Sequence, residues 1–165
     1  MNAVYVNAVG LLAPGLEGWQ ASMPILRGES DYRPEVIPRL VADLLPANER
    51  RRTTDTVRLA LLAAQDALRQ SSVAVETVAT VFASSDGDLE ILDKICLALS
   101  LPDHPVSPTL FHNSVHNAAA GYWAIATGSR MSSTSLSAYN ASFAAGLLEG
   151  MTVAVVEGLP TLLVG

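Results

Sequence analysis

Residues 107–151 read SPTLFHNSVHNAAAGYWAIATGSRMSSTSLSAYNASFAAGLLEGM, and the rest of the chain reads as support for this stretch. Two helices of small residues flank a Ser/Thr-rich segment that ends in a turn. Strand periodicity fits residues 132–138, and the Ala/Gly/Leu run over 143–148 fits a close-packed helix. Strand, turn and helix in that order put Tyr139 at a helix N-terminus, where unpaired N–H groups and the macrodipole stabilise a thiolate or an oxyanion. An α/β acyl-transfer enzyme keeps its nucleophile in such a turn.

The order of motifs resembles the N-terminal half of the β-ketoacyl synthases, in the thiolase-like superfamily. Ser107-Pro108, Asn117-Ala118-Ala119-Ala120-Gly121, Gly128 and Thr134-Ser135-Leu136-Ser137-Ala138-Tyr139-Asn140-Ala141-Ser142 follow one another as the family's motifs do. The FHNSVHNAAAGYW run over 111–123 is similar to short chain-length-factor-like partners of ketosynthases in aryl-polyene and xanthomonadin-type pigment pathways. The resemblance implies an α/β, thiolase-like fold, a mixed β-sheet layered with helices. It also exposes one departure: Tyr139 stands where the family has its nucleophilic Cys. A phenol is bulkier than a thiol and a poor acyl carrier at neutral pH. The site is therefore expected to be degenerate, with Tyr139 filling the old nucleophile pocket or plugging the space beneath it.

At 165 residues the chain suits a single domain spanning 1–165. Half the residues are hydrophobic and only 16% are charged, which is sparse for a free-standing surface, so some apolar area is expected to meet another chain. A net charge of −6 leaves no basic stripe for a phosphate backbone, and nucleic acid is excluded as a partner. One cysteine rules out an internal disulfide framework and fits a reducing, cytoplasmic setting. The opening MNAVYVNAVGLLAPG reads as neither a signal peptide nor a membrane span. Residues 161–165 read as a central strand that stops without a following loop, as a fragment truncated at its C-terminus would.

In chain order, residues 3–9 read as a short strand and 10–18 as a Gly/Pro loop without a dinucleotide fingerprint, followed by an amphipathic stretch near Leu26. Residues 28–48, with Pro34, Pro38 and Pro46, read as irregular surface. A helix is predicted over 55–70, capped by Thr53 or Thr54, with Ala60, Ala63, Ala64 and Ala67 for close packing. A strand over 73–84 leads to a structural turn, Ser84-Ser85-Asp86-Gly87-Asp88. The next helix, 89–99, carries Ile91, Leu92, Ile95 and Leu99 on one side, with Cys96 as a small buried hydrophobe.

Arg50, Arg51 and Arg52 are read first as a solvated helix start and second as a dock for an acidic acyl carrier protein. His112 and His116 would align on one face of a helix, but no third ligand accompanies them, so no metal is expected. They are read instead with Asn113 and Asn117 as a polar network capping the 118–127 helix or a subunit contact, with Tyr122 and Trp123 packing beside it. No cofactor is implied. Asn140 opens a glycosylation sequon that carries no weight without an export signal.

Condensation by decarboxylation needs a thiolate and two hydrogen-bond donors, usually histidines that the family carries in its other half. The chain is thus read as a non-catalytic partner of an active ketosynthase subunit in a heterodimer, meeting acyl carrier protein indirectly. Two alternatives are kept: a weakly active acyltransferase, and a homo-oligomeric module binding an acyl or aromatic ligand between Phe111, Tyr122, Trp123 and Tyr139. A relic that keeps its fold without a function is the bland reading.

Overall fold

A computed structural model describes residues 3–37 and 40–165. Its centre is strand β3 (Ala79–Ala83), ATVFA, buried at every position. β3 pairs in parallel with β4 (Ser133–Leu136) on one side and β5 (Thr161–Val164) on the other, with Val81 opposite Thr134 and Leu163. A strand covered on both faces reads as a continuous apolar run, which is the pattern here. The fold is α/β, as expected. Both strand pairings occur but in separate sheets, because the antiparallel pair is the two-residue ribbon of β1 (Leu12–Ala13) and β2 (Leu16–Glu17).

Helices cover the two faces. On one lie α3 (Asp55–Arg69) and α6 (Ala118–Thr127), where Val57, Leu61 and Ala64 of α3 and Tyr122 and Trp123 of α6 close over Phe82, Leu162 and Val164. The α3 start follows the sequence prediction: the Thr54 side chain accepts from Val57 N at 3.2 Å and Asp55 sits in the positive first turn. Thr53 instead donates to the Arg50 carbonyl. α6 ends on Gly128, whose φ of 68° closes the helix in the left-handed region.

On the other face lies α7 (Ser142–Val156), with Ser142, Gly146, Gly150 and Val153 turned inward. A Cβ on Gly146 would come within 2.7 Å of Ala83 Cβ and 2.8 Å of Leu163 Cδ1. The helix reaches the sheet only because that atom is missing. The remaining helices are α1 (Trp19–Leu26), α2 (Ala47–Arg50), α4 (Leu89–Ser100) and α5 (Pro108–Asn113). Asp88 caps α4 by accepting from Ile91 N, and Ser107 caps α5 by accepting from Leu110 N.

Three expectations are corrected. Residues 3–9 form no strand; apolar composition alone supplies no neighbour for the ladder, and Tyr5 and Val6 are exposed. Cys96 is exposed, because α4 buries only Ile91 and Ala98 and turns Leu92 and Leu99 to solvent. β5, at one edge of the described sheet, is half-buried, where a buried strand was expected. Residues 28–37 and 40–46 are irregular as expected; the position of Pro38 lies outside the described residues.

Two glycines in helices predict opposite outcomes. Gly121→Ala on α6, where an added Cβ meets nothing within 4 Å, gains helix propensity and should stabilise by up to about 1 kcal/mol. Gly146→Ala should destabilise by about 1–2 kcal/mol despite the same propensity gain, since Ala83 has no rotamer with which to yield. Urea unfolding of the two variants checks the contrast.

Candidate functional site

The turn between β4 and α7 is tied together by serine hydroxyls. β4 ends at Leu136, and Tyr139–Ala141 form a single 3-10 turn leading into α7. Tyr139 sits at φ 51°, a left-handed conformation that costs a residue with a Cβ about 1–2 kcal/mol. Ser142, 5% exposed, holds it there: its Oγ accepts from Ala138 N at 2.9 Å and donates to the Tyr139 carbonyl at 2.7 Å. From the end of β3, Ser85 Oγ lies 2.7 Å from the same carbonyl and 3.2 Å from Ser142 Oγ. Ser137 Oγ donates back to the Ser85 carbonyl at 2.9 Å. The C-terminal ends of two adjacent parallel strands are thus stitched into one surface, the place where open α/β sheets carry their sites.

Sequence reasoning missed this hydroxyl node. It joins residues more than fifty positions apart, and only the parallel pairing of β3 with β4 brings them together. Within the turn over 84–88, Ser84 Oγ accepts from Gly87 N, and Gly87 adopts φ 68°.

Tyr139 is 75% exposed, so its ring fills no cavity among the described residues. The ring lies at the surface of the turn. Asn140 beside it is also exposed.

The 111–123 stretch divides between surface and core. α5 ends at Asn113, so His112 and His116 do not share a helix face. His112 meets the Tyr122 ring edge-on at 5.7 Å. The Asn113 amide, buried, donates to the Arg52 carbonyl at 2.9 Å and the Thr109 carbonyl at 3.0 Å, pinning α5 to the segment before α3. His116 Nε2 lies 2.9 Å from the Ser84 carbonyl, pinning the next loop to the end of β3. Asn117 begins α6 without a side-chain cap. The expected single network is therefore a set of separate attachments, because the loop over 114–117 spreads its polar groups among different neighbours.

Tyr122 and Trp123 belong to the core, while Phe111 is 69% exposed. The four aromatics expected to line one ligand pocket are divided between interior and surface. An open groove lined by Pro14, Pro34, Val36, Ile37, Leu40 and Leu59 shares no residue with the Tyr139 turn.

Arg50 is the last residue of α2, and Arg51 and Arg52 lie between it and the Thr54 cap of α3. Arg50 pairs with Asp43, Arg52 lies 3.7 Å from Glu49, and Arg51 bonds to the neutral Asn48 amide. Among the described residues no group of three or more His, Cys, Asp or Glu could hold a metal ion, and no helix is long and apolar enough to cross a membrane.

Burial raises the Tyr122 phenol pKa; the Glu49 charge adds to this, and Asn113 and Arg52 oppose it. The folded chain therefore keeps that proton to higher pH than the unfolded chain does. Stability from this group is full below the ordinary phenol range near pH 10 and falls as pH rises through it toward the folded value. Tyr122→Phe should leave stability near that of the parent at neutral pH and make the alkaline decline shallower, as seen in melts from pH 8 to 11.

At the turn, Tyr139→Gly should stabilise by about 1 kcal/mol by relieving the left-handed strain. Tyr139→Ala should change stability by less than about 0.5 kcal/mol, since the ring leaves no hole. Chemical denaturation separates this pair from a buried-plug arrangement, in which both would destabilise.

Residues 27–164 match the family described as beta-ketoacyl synthase, N-terminal domain. No curated protein shows significant similarity to the chain. Among solved structures, the chain is similar to the ketosynthase (ApeO) in complex with its chain length factor (ApeC) from Xenorhabdus doucetiae. That match has a TM-score of 0.73 and 28% identity over 95% of this chain and 63% of that one. A second is AntDE:AntF, a type II PKS acyl-carrier protein in complex with its ketosynthase bound to the hexaketide. There the TM-score is 0.75 and the identity 16%, over 96% of this chain and 48% of that one, a likeness of fold alone. The chain spans less than two thirds of the length of either structure. The coverage of the family match, together with the α/β architecture, shows that the chain belongs to the β-ketoacyl synthase N-terminal domain family.

Proposed function

We propose that the chain is a non-catalytic, chain-length-factor-like subunit that pairs with an active β-ketoacyl-acyl carrier protein synthase, in fatty-acid or polyketide biosynthesis of the aryl-polyene type. The observation that carries this is Tyr139, which occupies the strained turn where the family has its nucleophilic Cys. The turn keeps its architecture, held by Ser142 and Ser85, while the atom that would accept an acyl group is replaced by an exposed phenol. A scaffold kept without its nucleophile suits a protein valued for its surfaces. Likeness to a structure of a ketosynthase with its chain length factor supports the same reading.

In this role the chain supplies no proton, nucleophile or oxyanion donor to the condensation. It completes the interface of the active subunit and helps shape the tunnel that takes the growing acyl chain, in the cytoplasm. Acyl carrier protein meets it indirectly. Arg51, whose partner is a neutral amide, is the arginine most open to an acidic carrier, since Arg50 and Arg52 face Asp43 and Glu49.

The test is co-expression with the ketosynthase encoded beside it, followed by light scattering and condensation assays of each protein alone and together. The expected result is a one-to-one complex more active than the ketosynthase alone, in which Tyr139→Ala changes turnover by less than about twofold. Separate elution of the two proteins, with no gain in activity on mixing, would overturn the assignment.

A further inference from the structure

α4 carries two apolar stripes. Ile91, Ile95 and Ala98 turn inward, and the first and last of these are buried. Leu89, Leu92, Cys96 and Leu99 turn outward, at spacings of three, four and three residues, and all four are exposed. That spacing is the narrow a/d seam of a helix that packs along another helix, in contrast to the broad stripe of one that only covers a core. Phe111, on the adjoining α5, adds a large exposed ring on a helix packed against α4.

Charge around the seam selects the occupant. Residues 86–103 contain five carboxylates, Asp86, Asp88, Glu90, Asp93 and Asp103, against the single cation Lys94. Lys94 is already paired with Glu90, one turn away. A second copy of the chain docked about a twofold axis would set this acidic border against itself, with like charges facing across the rim. A partner whose apolar helix is flanked by lysine or arginine meets the seam without that repulsion.

We propose that the Leu89, Leu92, Cys96 and Leu99 seam of α4 is the docking surface for a basic-flanked apolar helix of the active ketosynthase subunit. This rests on the reading of the chain as a partner subunit and adds the face by which it binds.

Cys96 is the only thiol in the chain and lies in the middle of the seam, so it reports occupancy directly. The full chain, alone and in the co-purified complex, is treated with a maleimide, and its labelling is followed by intact mass, which resolves the two subunits. The free chain should label readily and the complex at least about tenfold more slowly, because reaction requires access to the sulfur. Asp93→Lys, an exposed change that leaves the fold and its melting curve intact, should weaken the complex and restore labelling. Leu92→Lys should do so more strongly. A complex that forms while Cys96 labels at the free rate would overturn the seam and leave the pairing intact. Protection of Cys96 in the chain by itself, whether as a dimer or as a monomer, would also overturn it by assigning the seam another occupant. Absence of any complex would remove the partner reading and this inference together.

Discussion

The missing side chain at Gly146 sets how closely α7 lies on the parallel sheet, and most of the site follows from that distance. With Ala83 and Leu163 directly beneath it, the helix has one admissible height above β3 and β5. Its N-terminus must then meet the end of β4 within a few residues, and the left-handed backbone of Tyr139 makes that connection. Ser142, the first residue of the helix, turns back to hold both Ala138 N and the Tyr139 carbonyl, and Ser85 braces the same carbonyl from β3. Strain at one residue is offset by hydroxyls at the start of α7 and the end of β3, which is how a tight turn persists without glycine.

On the opposite face the packing is conventional: leucine, valine and alanine of α3 meet Phe82 and the Tyr122 and Trp123 rings. That half of the molecule was legible in the sequence. Local rules sufficed for it, since Thr54 caps α3, Gly128 ends α6, and a run of apolar β-formers gives β3. Elements that depend on remote partners were not legible. Residues 3–9 have strand composition, but a strand exists only where a neighbour accepts its hydrogen bonds. The apolar side of α4 reads as core, yet the fold covers only half of it, which leaves Cys96 outside. The histidines and asparagines of 112–117 stand out in the sequence as a polar group, but the partners of Asn113 and His116, the Arg52, Thr109 and Ser84 carbonyls, are set by tertiary packing.

The position of Tyr139 was readable from motif order alone, whereas its exposure was not. A bulky ring in place of a thiol suggests a filled pocket, but among the described residues the ring lies at the surface. The distinction matters for function. A buried tyrosine would add packing inside the chain, while an exposed one in a left-handed backbone costs strain and adds none. Phe143, Leu147 and Met151 are likewise exposed, at four-residue spacing along α7.

The central claim is that this turn carries no acyl group. Intact-protein mass spectrometry of the chain, after incubation with malonyl and medium-chain acyl thioesters, tests it most directly, with an active ketosynthase in the same tube as the positive control. The account predicts an unchanged mass for this chain while the ketosynthase gains the acyl increment. An acyl adduct on this chain that maps to Tyr139 would contradict it.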